Sequence, residues 1–201
     1  MYKRANYDDL VTVNPSMVFH QGDAIRVLLE SNLDGYLYVF HAENEERAEM
    51  IFPDARLNGG DNRIKSHVPY EVPSSRESDV RFRWFYFDAT PATERLYFVV
   101  TRNALAGVPI GAELVSYCRT SSKGCPWQPL SDVWAVINSS LRAPVHVSSR
   151  GVFDEKQTMV ERAAIERGLG LPKGAPEPSV VLVSSSPGAT LLVTVVDLIH
   201  K

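Results

Sequence analysis

Apolar and polar positions alternate through most of the first half of the chain. In "AIRVLLES", Ile25, Val27 and Leu29 share one face, and Arg26 and Glu30 share the other. A period of two is that of a half-buried strand. Asn32–Gly35 supply turn chemistry, because Asn and Asp tolerate unusual backbone angles and Gly accepts positive φ. "YLYVFHA" then reads as the return strand of a hairpin. Along it Tyr36, Tyr38 and Phe40 fall on one face, and Leu37, Val39 and His41 on the other. A charged loop, "ENEERA", leads to a short strand, "EMIF", which Pro53 ends by removing a backbone donor. "DARLNGGDN" is a loop by composition, and "RIKSHVPYEVP" is an extended segment cut twice by proline. "VRFRWFYF" predicts a strand with Phe82, Trp84 and Tyr86 opposite Arg81 and Arg83. "ERLYFVVT" is apolar on both faces, as a central strand covered on both sides must be.

The pattern changes after residue 103. "LSDVWAVINSSLR" predicts a helix with Ser131 or Asp132 near its N-cap and a stripe of Val133, Val136, Ile137 and Leu141. "DEKQTMVERAAIERGLG" predicts a second helix, opened by acidic residues and closed by glycine. "LPKGAPEP" is a linker. "SVVLVS" and "TLLVTVVDLI", joined by "SSPGA", predict a closing hairpin whose apolar character requires burial in the first sheet. The expectation is a mainly β, sandwich-like single domain, 1–201. Its core spans 10–103, a two-helix elaboration with a cysteine loop spans 104–176, and a C-terminal β-hairpin, 177–201, completes the sheet.

The 201 residues are 44% hydrophobic and 22% charged, ordinary for a globular chain able to bury a core. The net charge of -3 and a pI near 6.0 argue against a nucleic-acid partner, which needs a basic face. No apolar run approaches the ~20 residues that span a bilayer. The N-terminal "MYKRANYDDLVTVNP" lacks the apolar region of a signal peptide. The expectation is a periplasmic or cell-surface protein whose leader is not in this chain, with a cytoplasmic protein as the alternative. The two cysteines, Cys118 and Cys125, bracket "CRTSSKGC". They are a disulfide candidate, with two reduced thiols as the alternative. Their spacing is wider than that of a zinc pair, and no second ligand pair follows.

Several motifs in residues 17–103 resemble the bacterial domain family DUF4384. They are Phe19 with Gly22-Asp23, the strand ending in Glu30-Ser31, "DGYLYV" at 34–39, and Phe52-Pro53. Asn62 with Ile64, the prolines around Tyr70 and Val72, and Glu94-Arg95-Leu96 before an apolar strand complete the set. "GYLYVF" with "IFP" is its most specific part. The resemblance implies a β-rich module without established catalysis, found in exported bacterial proteins and beside enzymatic or repeat domains. It supplies no catalytic residue to carry over, and it leaves the second half without a counterpart.

Candidate chemistry is sparse. Asp54, Asn58, Asp61 and Asn62 offer oxygens for Ca²⁺, but Arg56 and Lys65 stand where an EF-hand needs ligands. A turn is the simpler reading, and no metal or cofactor is expected. The five histidines meet no Gly-x-Ser-x-Gly or His-Glu-x-x-His pattern. The leading expectation is a non-enzymatic binding or scaffold module with a protein or carbohydrate partner. Its candidate ligand-binding residues are Tyr36, Tyr38, Trp84 and Trp127, the last as an exposed anchor in the cysteine loop. The competing expectation is a hydrolase or thiol enzyme in 104–176, with Cys118 or Cys125 as nucleophile near a histidine.

Overall fold

A computed structural model describes residues 1–4, 10–44, 46–119, 125, 127–141, 146–150, 159, 180–184 and 189–201, with the backbone alone at Tyr2, 146–150 and 180–184. Apart from Met159, the anticipated second helix lies outside the described residues, as do the linker and most of the "SSPGA" turn.

Two sheets form. The first contains β1 (Tyr2–Arg4), β2 (Leu10–Thr12), β4 (Ala24–Glu30), β8 (Pro69–Val72) and β9 (Phe85–Tyr86). Its order is β2-β1-β4-β8, with β9 also on β4. The second contains β3 (Val18–Phe19), β5 (Gly35–Glu43), β6 (Glu49–Phe52), β7 (Arg63–Ile64), β10 (Ala92–Thr101) and β13 (Leu191–His200). Its order is β3-β13-β10-β5-β6, with β7 also on β5. β10 pairs antiparallel with β13 from Ala92↔His200 to Thr101↔Leu191, and with β5 from Glu94↔Glu43 to Thr101↔Tyr36.

The central strands explain the layering. Leu37, Val39, Leu96, Phe98 and Leu198 point toward Ile25, Val27 and Val72 of the first sheet. Tyr38, Phe40, Tyr97, Val99 and Val193 point the other way, onto two helices. These are α1 (Gly111–Cys118) and α2 (Ser131–Leu141), which contribute Leu114, Val133 and Ile137. The fold is mainly β, with a helical layer on the second sheet. Complete burial of each large apolar side chain contributes about 1.5–3 kcal/mol, so neither face of β5 or β10 can be left to water.

The expected hairpin between the strands at 24–30 and 35–43 does not form. β4 and β5 belong to different sheets, so the turn between them crosses the sandwich. Ser31 Oγ accepts from the Leu33 N–H at 3.0 Å, and Asp34 Oδ1 accepts from the Ser66 N–H at 2.8 Å. Turn chemistry was present, but it ties this corner to the 65–67 segment. An ideal Cβ on Gly35 would lie 2.0 Å from the Thr101 carbonyl oxygen, so that close approach requires glycine.

The "VRFRWFYF" strand is likewise mostly absent. Asp79 accepts from the Arg81 N–H and caps a 3₁₀ turn at Val80–Phe82, leaving only Phe85–Tyr86 as β9. A local side-chain-to-backbone bond has displaced the ladder there.

At the C-terminus, the final strand completes the second sheet as expected, between β10 and β3. Its anticipated hairpin partner does not pair with it. That segment, β12 (Val180–Ser184), pairs antiparallel with β11 (His146–Arg150). α2 stands where the periodicity placed it, but Val136 is 53% exposed and Trp134 packs inward instead, 4.9 Å from Tyr97 and 5.9 Å from Phe40 between ring centroids.

α1 ends at Cys118, which forms a disulfide with Cys125 across a Cα–Cα distance of 5.2 Å. Closing so short a loop stabilises the chain by about 2–3 kcal/mol through the unfolded state. Replacing both cysteines by serine is expected to lower urea-unfolding stability by that amount. In the native protein, alkylation followed by mass measurement should label neither thiol until a reductant is added. Among the described residues no helix is long and apolar enough to cross a membrane.

Candidate functional site

β6 and β8 are terminal strands of different sheets, and residues of both line one cavity. β6 receives one further bridge, from the Met50 N–H to the Trp127 carbonyl at 2.8 Å. Beyond Met50 its outer edge borders a cleft of about 330 Å³. One wall is Ile51, Phe52 and Pro53, and the facing wall is Val72 and Pro73. The segment after β8 folds over the end of the cleft and contributes Glu77, Phe82, Trp84 and Phe85. The peptide bonds preceding Pro53 and Pro73 are both cis.

A buried arginine holds the covering segment. Arg26 is 4% exposed, although the alternation of β4 placed it on the solvent side. Its Nε and a terminal nitrogen donate to the Arg83 carbonyl at 3.2 and 2.9 Å. Its guanidinium lies 4.0 Å from the centre of the Trp84 ring and 3.6 Å from Glu71 Oε1. Burial pulls its pKa below the ordinary arginine value, and Glu71 works against that shift; arginine nonetheless stays charged. Glu71 Oε2 accepts from the Ser75 N–H at 3.1 Å, which starts the segment over the sheet.

The rim is charged but largely self-neutralised. Arg56 pairs with Asp54 at 2.5 Å and lies 4.3 Å from the Phe82 ring centre. Arg81 pairs with Asp79 at 2.6 Å, and it holds that carboxyl down to about 2. Glu77 differs. Burial, then the nearby Asp54 carboxylate, push its pKa up, and Arg83 offsets this only in part. Among the described residues Glu77 makes no ion pair, and neither does Glu49, which accepts from Gln128 Nε2 at 2.9 Å.

Of the four residues singled out from sequence, only Trp84 lines the cleft. Tyr38 is fully buried beneath the helices, where its hydroxyl accepts from the Leu105 N–H at 3.0 Å. Tyr36 is half-buried against the same cluster. Trp127 is 7% exposed, not a free anchor; its bridge to Met50 pins it onto the second sheet. The structure does not bring the four together. Phe52, Phe82, Glu71 and Glu77 were not among the candidate ligand-binding residues, and the local signal for them was proline after two short apolar strands.

The other candidate chemistry resolves simply. Asp54 and Asp61 each bind the arginine two residues on, and Asn62 is buried with its Nδ2 donating to the Leu37 carbonyl at 3.0 Å. Both thiols of the thiol-enzyme alternative are consumed by the disulfide. His41 lies 2.5 Å from Glu94 Oε2, and His200 Nδ1 is 3.6 Å from Glu94 Oε1, while His200 Nε2 meets the Asp88 carbonyl at 2.9 Å. Among the described residues this is a carboxylate shared by two histidines, with no hydroxyl bonded to either ring.

A family model described as a domain of unknown function (DUF4384) matches residues 18–104. No curated protein and no solved structure matches the chain. The matched segment runs from β3 to the end of β10 and includes both sheet edges of the cleft; the helices and β13 lie beyond it. Residues 18–104 of this chain are thus a DUF4384 domain.

Proposed function

We propose that the chain is a non-catalytic binding module that seats an extended segment of a partner protein in the cleft between β6 and β8. The observation that carries this reading is the cleft itself: a slot with apolar walls and a charged rim, bordered by two terminal strands of different sheets. Strand edges offer unpaired backbone groups, and the pocket between them takes side chains, which is how extended peptides are commonly recognised. A carbohydrate fits less well, because sugars stack on open aromatic faces. Here Arg26 covers Trp84, and Arg56 covers Phe82. The disulfide favours the periplasm or cell surface over the cytoplasm, since such bonds persist in oxidising compartments.

The test uses acetylated, amidated pentapeptides of sequence AVXVA, with X lysine, methionine or glutamate, titrated into ¹⁵N-labelled protein. At least one should shift amide resonances of residues 49–57 and 71–85. Phe82→Ala, which removes a half-buried ring from the cleft wall, should abolish those shifts with at most a modest drop in Tm. Shifts confined to other surfaces, or none with any peptide, would refute the reading.

A further inference from the structure

We propose that the cleft selects a basic side chain, a lysine or arginine of the bound segment, with Glu77 as its counter-charge. This rests on the peptide-binding reading above. The cleft is lined by four carboxylates, Glu49, Asp54, Glu71 and Glu77, against two guanidinium groups, Arg56 and Arg81. The pairings already made decide which charges remain. Asp54 is held by Arg56, Glu71 by Arg26, and Arg81 by Asp79. Both lining arginines are therefore committed, which disfavours an anionic occupant. What is left over is negative, at Glu49 and Glu77. Arg83, whose Nε donates to the Glu77 backbone carbonyl at 2.6 Å, offsets the Glu77 charge in part but makes no ion pair with its carboxylate.

Glu77 is the stronger determinant of the two. It stands beside the apolar surface of Phe82, Trp84 and Phe85, whereas Glu49 already accepts a hydrogen bond from Gln128. A carboxylate partly removed from water, with a second carboxylate nearby, is an unfavourable arrangement in the free protein. An incoming ammonium or guanidinium replaces the lost hydration with a charge-assisted hydrogen bond. The aliphatic stem of lysine or arginine would meanwhile lie along the apolar walls, a division of labour suited to both halves of the side chain.

The linkage sign gives an independent handle. The folded pKa of Glu77 is raised above its unfolded value. Between the two values the native state holds more protons, so stability falls as pH rises through that window. At neutral pH the ionised Glu77 is thus a cost to the free fold. Glu77→Gln should leave Tm unchanged or slightly raised while it impairs binding, the usual trade-off at a functional site.

The probes are the same three pentapeptides, titrated into wild type, Glu77→Gln and Phe82→Ala at pH 7. The lysine peptide should bind wild type at least about tenfold more tightly than the methionine or glutamate peptide, and Glu77→Gln should lose that preference. If the lysine peptide binds both proteins alike, or the methionine peptide binds wild type equally well, the inference fails. The peptide-binding reading survives that result provided Phe82→Ala still abolishes binding. If no peptide binds wild type at the cleft, both fail. A drop in Tm for Glu77→Gln would also count against the inference, because it would make Glu77 a structural group.

Discussion

Arg26→Ala is expected to destabilise the domain by about 3–5 kcal/mol, the range found when one member of a buried ion pair is removed. The reason lies in what remains behind. The Glu71 side chain is 4% exposed, and Arg26 is the cation beside it, at 3.6 Å. Without the guanidinium, a carboxylate stays in a poorly hydrated place with, among the described residues, the Ser75 N–H as its remaining hydrogen-bond donor. The Arg83 carbonyl loses two donors at once, and Trp84 loses the cation over its ring. The loss should appear as a lower urea midpoint with an unchanged slope. Adding Glu71→Gln to Arg26→Ala should recover part of it, because the orphaned charge is then gone. Additive effects in that double-mutant cycle, or a loss below 1 kcal/mol for Arg26→Ala, would mean the pair does not hold the covering segment. Peptide binding at the cleft should weaken in parallel, since Glu71 and Trp84 are part of its wall.

Arg26 also shows where sequence patterning reaches its limit. Alternation along β4 correctly put Ile25 and Val27 in the core and Arg26 on the far face. It carried no information that residues 73–84 would fold back and bury that face. The same limit explains the lost hairpin between β4 and β5. Each strand was evident from its period of two, but their partners were set by long-range registers, β4 with β1 and β8, β5 with β10 and β6. β10 was the easiest strand to place, because apolar residues on both faces leave only a central position. α1 escaped notice for the opposite reason: eight residues with Leu114 as its single buried position make no stripe to read. Trp127 lacked a periodic neighbourhood and looked free, yet one backbone bridge to Met50 takes it into the core. The cleft was illegible in principle from local pattern. Its walls come from the edges of strands in different sheets, and its charge balance depends on which aspartates the rim arginines have already taken.

The helical layer yields the second large effect. Phe40→Ala is expected to cost about 3–5 kcal/mol, as for other fully buried phenylalanines. Phe40 stacks with Tyr38 at 6.4 Å and meets the edge of Trp134 at 5.9 Å, so it joins β5 to α2. An eleven-residue helix has little stability of its own in water, and α2 persists because Val133, Trp134 and Ile137 pack against this sheet. Removing the ring should therefore speed amide hydrogen exchange in α2 more than in β10. Phe98→Ala supplies the comparison. Phe98 is nearly as deeply buried, but on the face turned toward the first sheet. Its loss should cost a similar amount without singling out α2. If α2 amides exchange no faster than those of β10 in Phe40→Ala, or respond equally to Phe98→Ala, the two faces of β5 and β10 do not support separate cores. A selective response in Phe40→Ala alone would establish that the helices depend on one face of the central strands, while the cleft-bearing sandwich depends on the other.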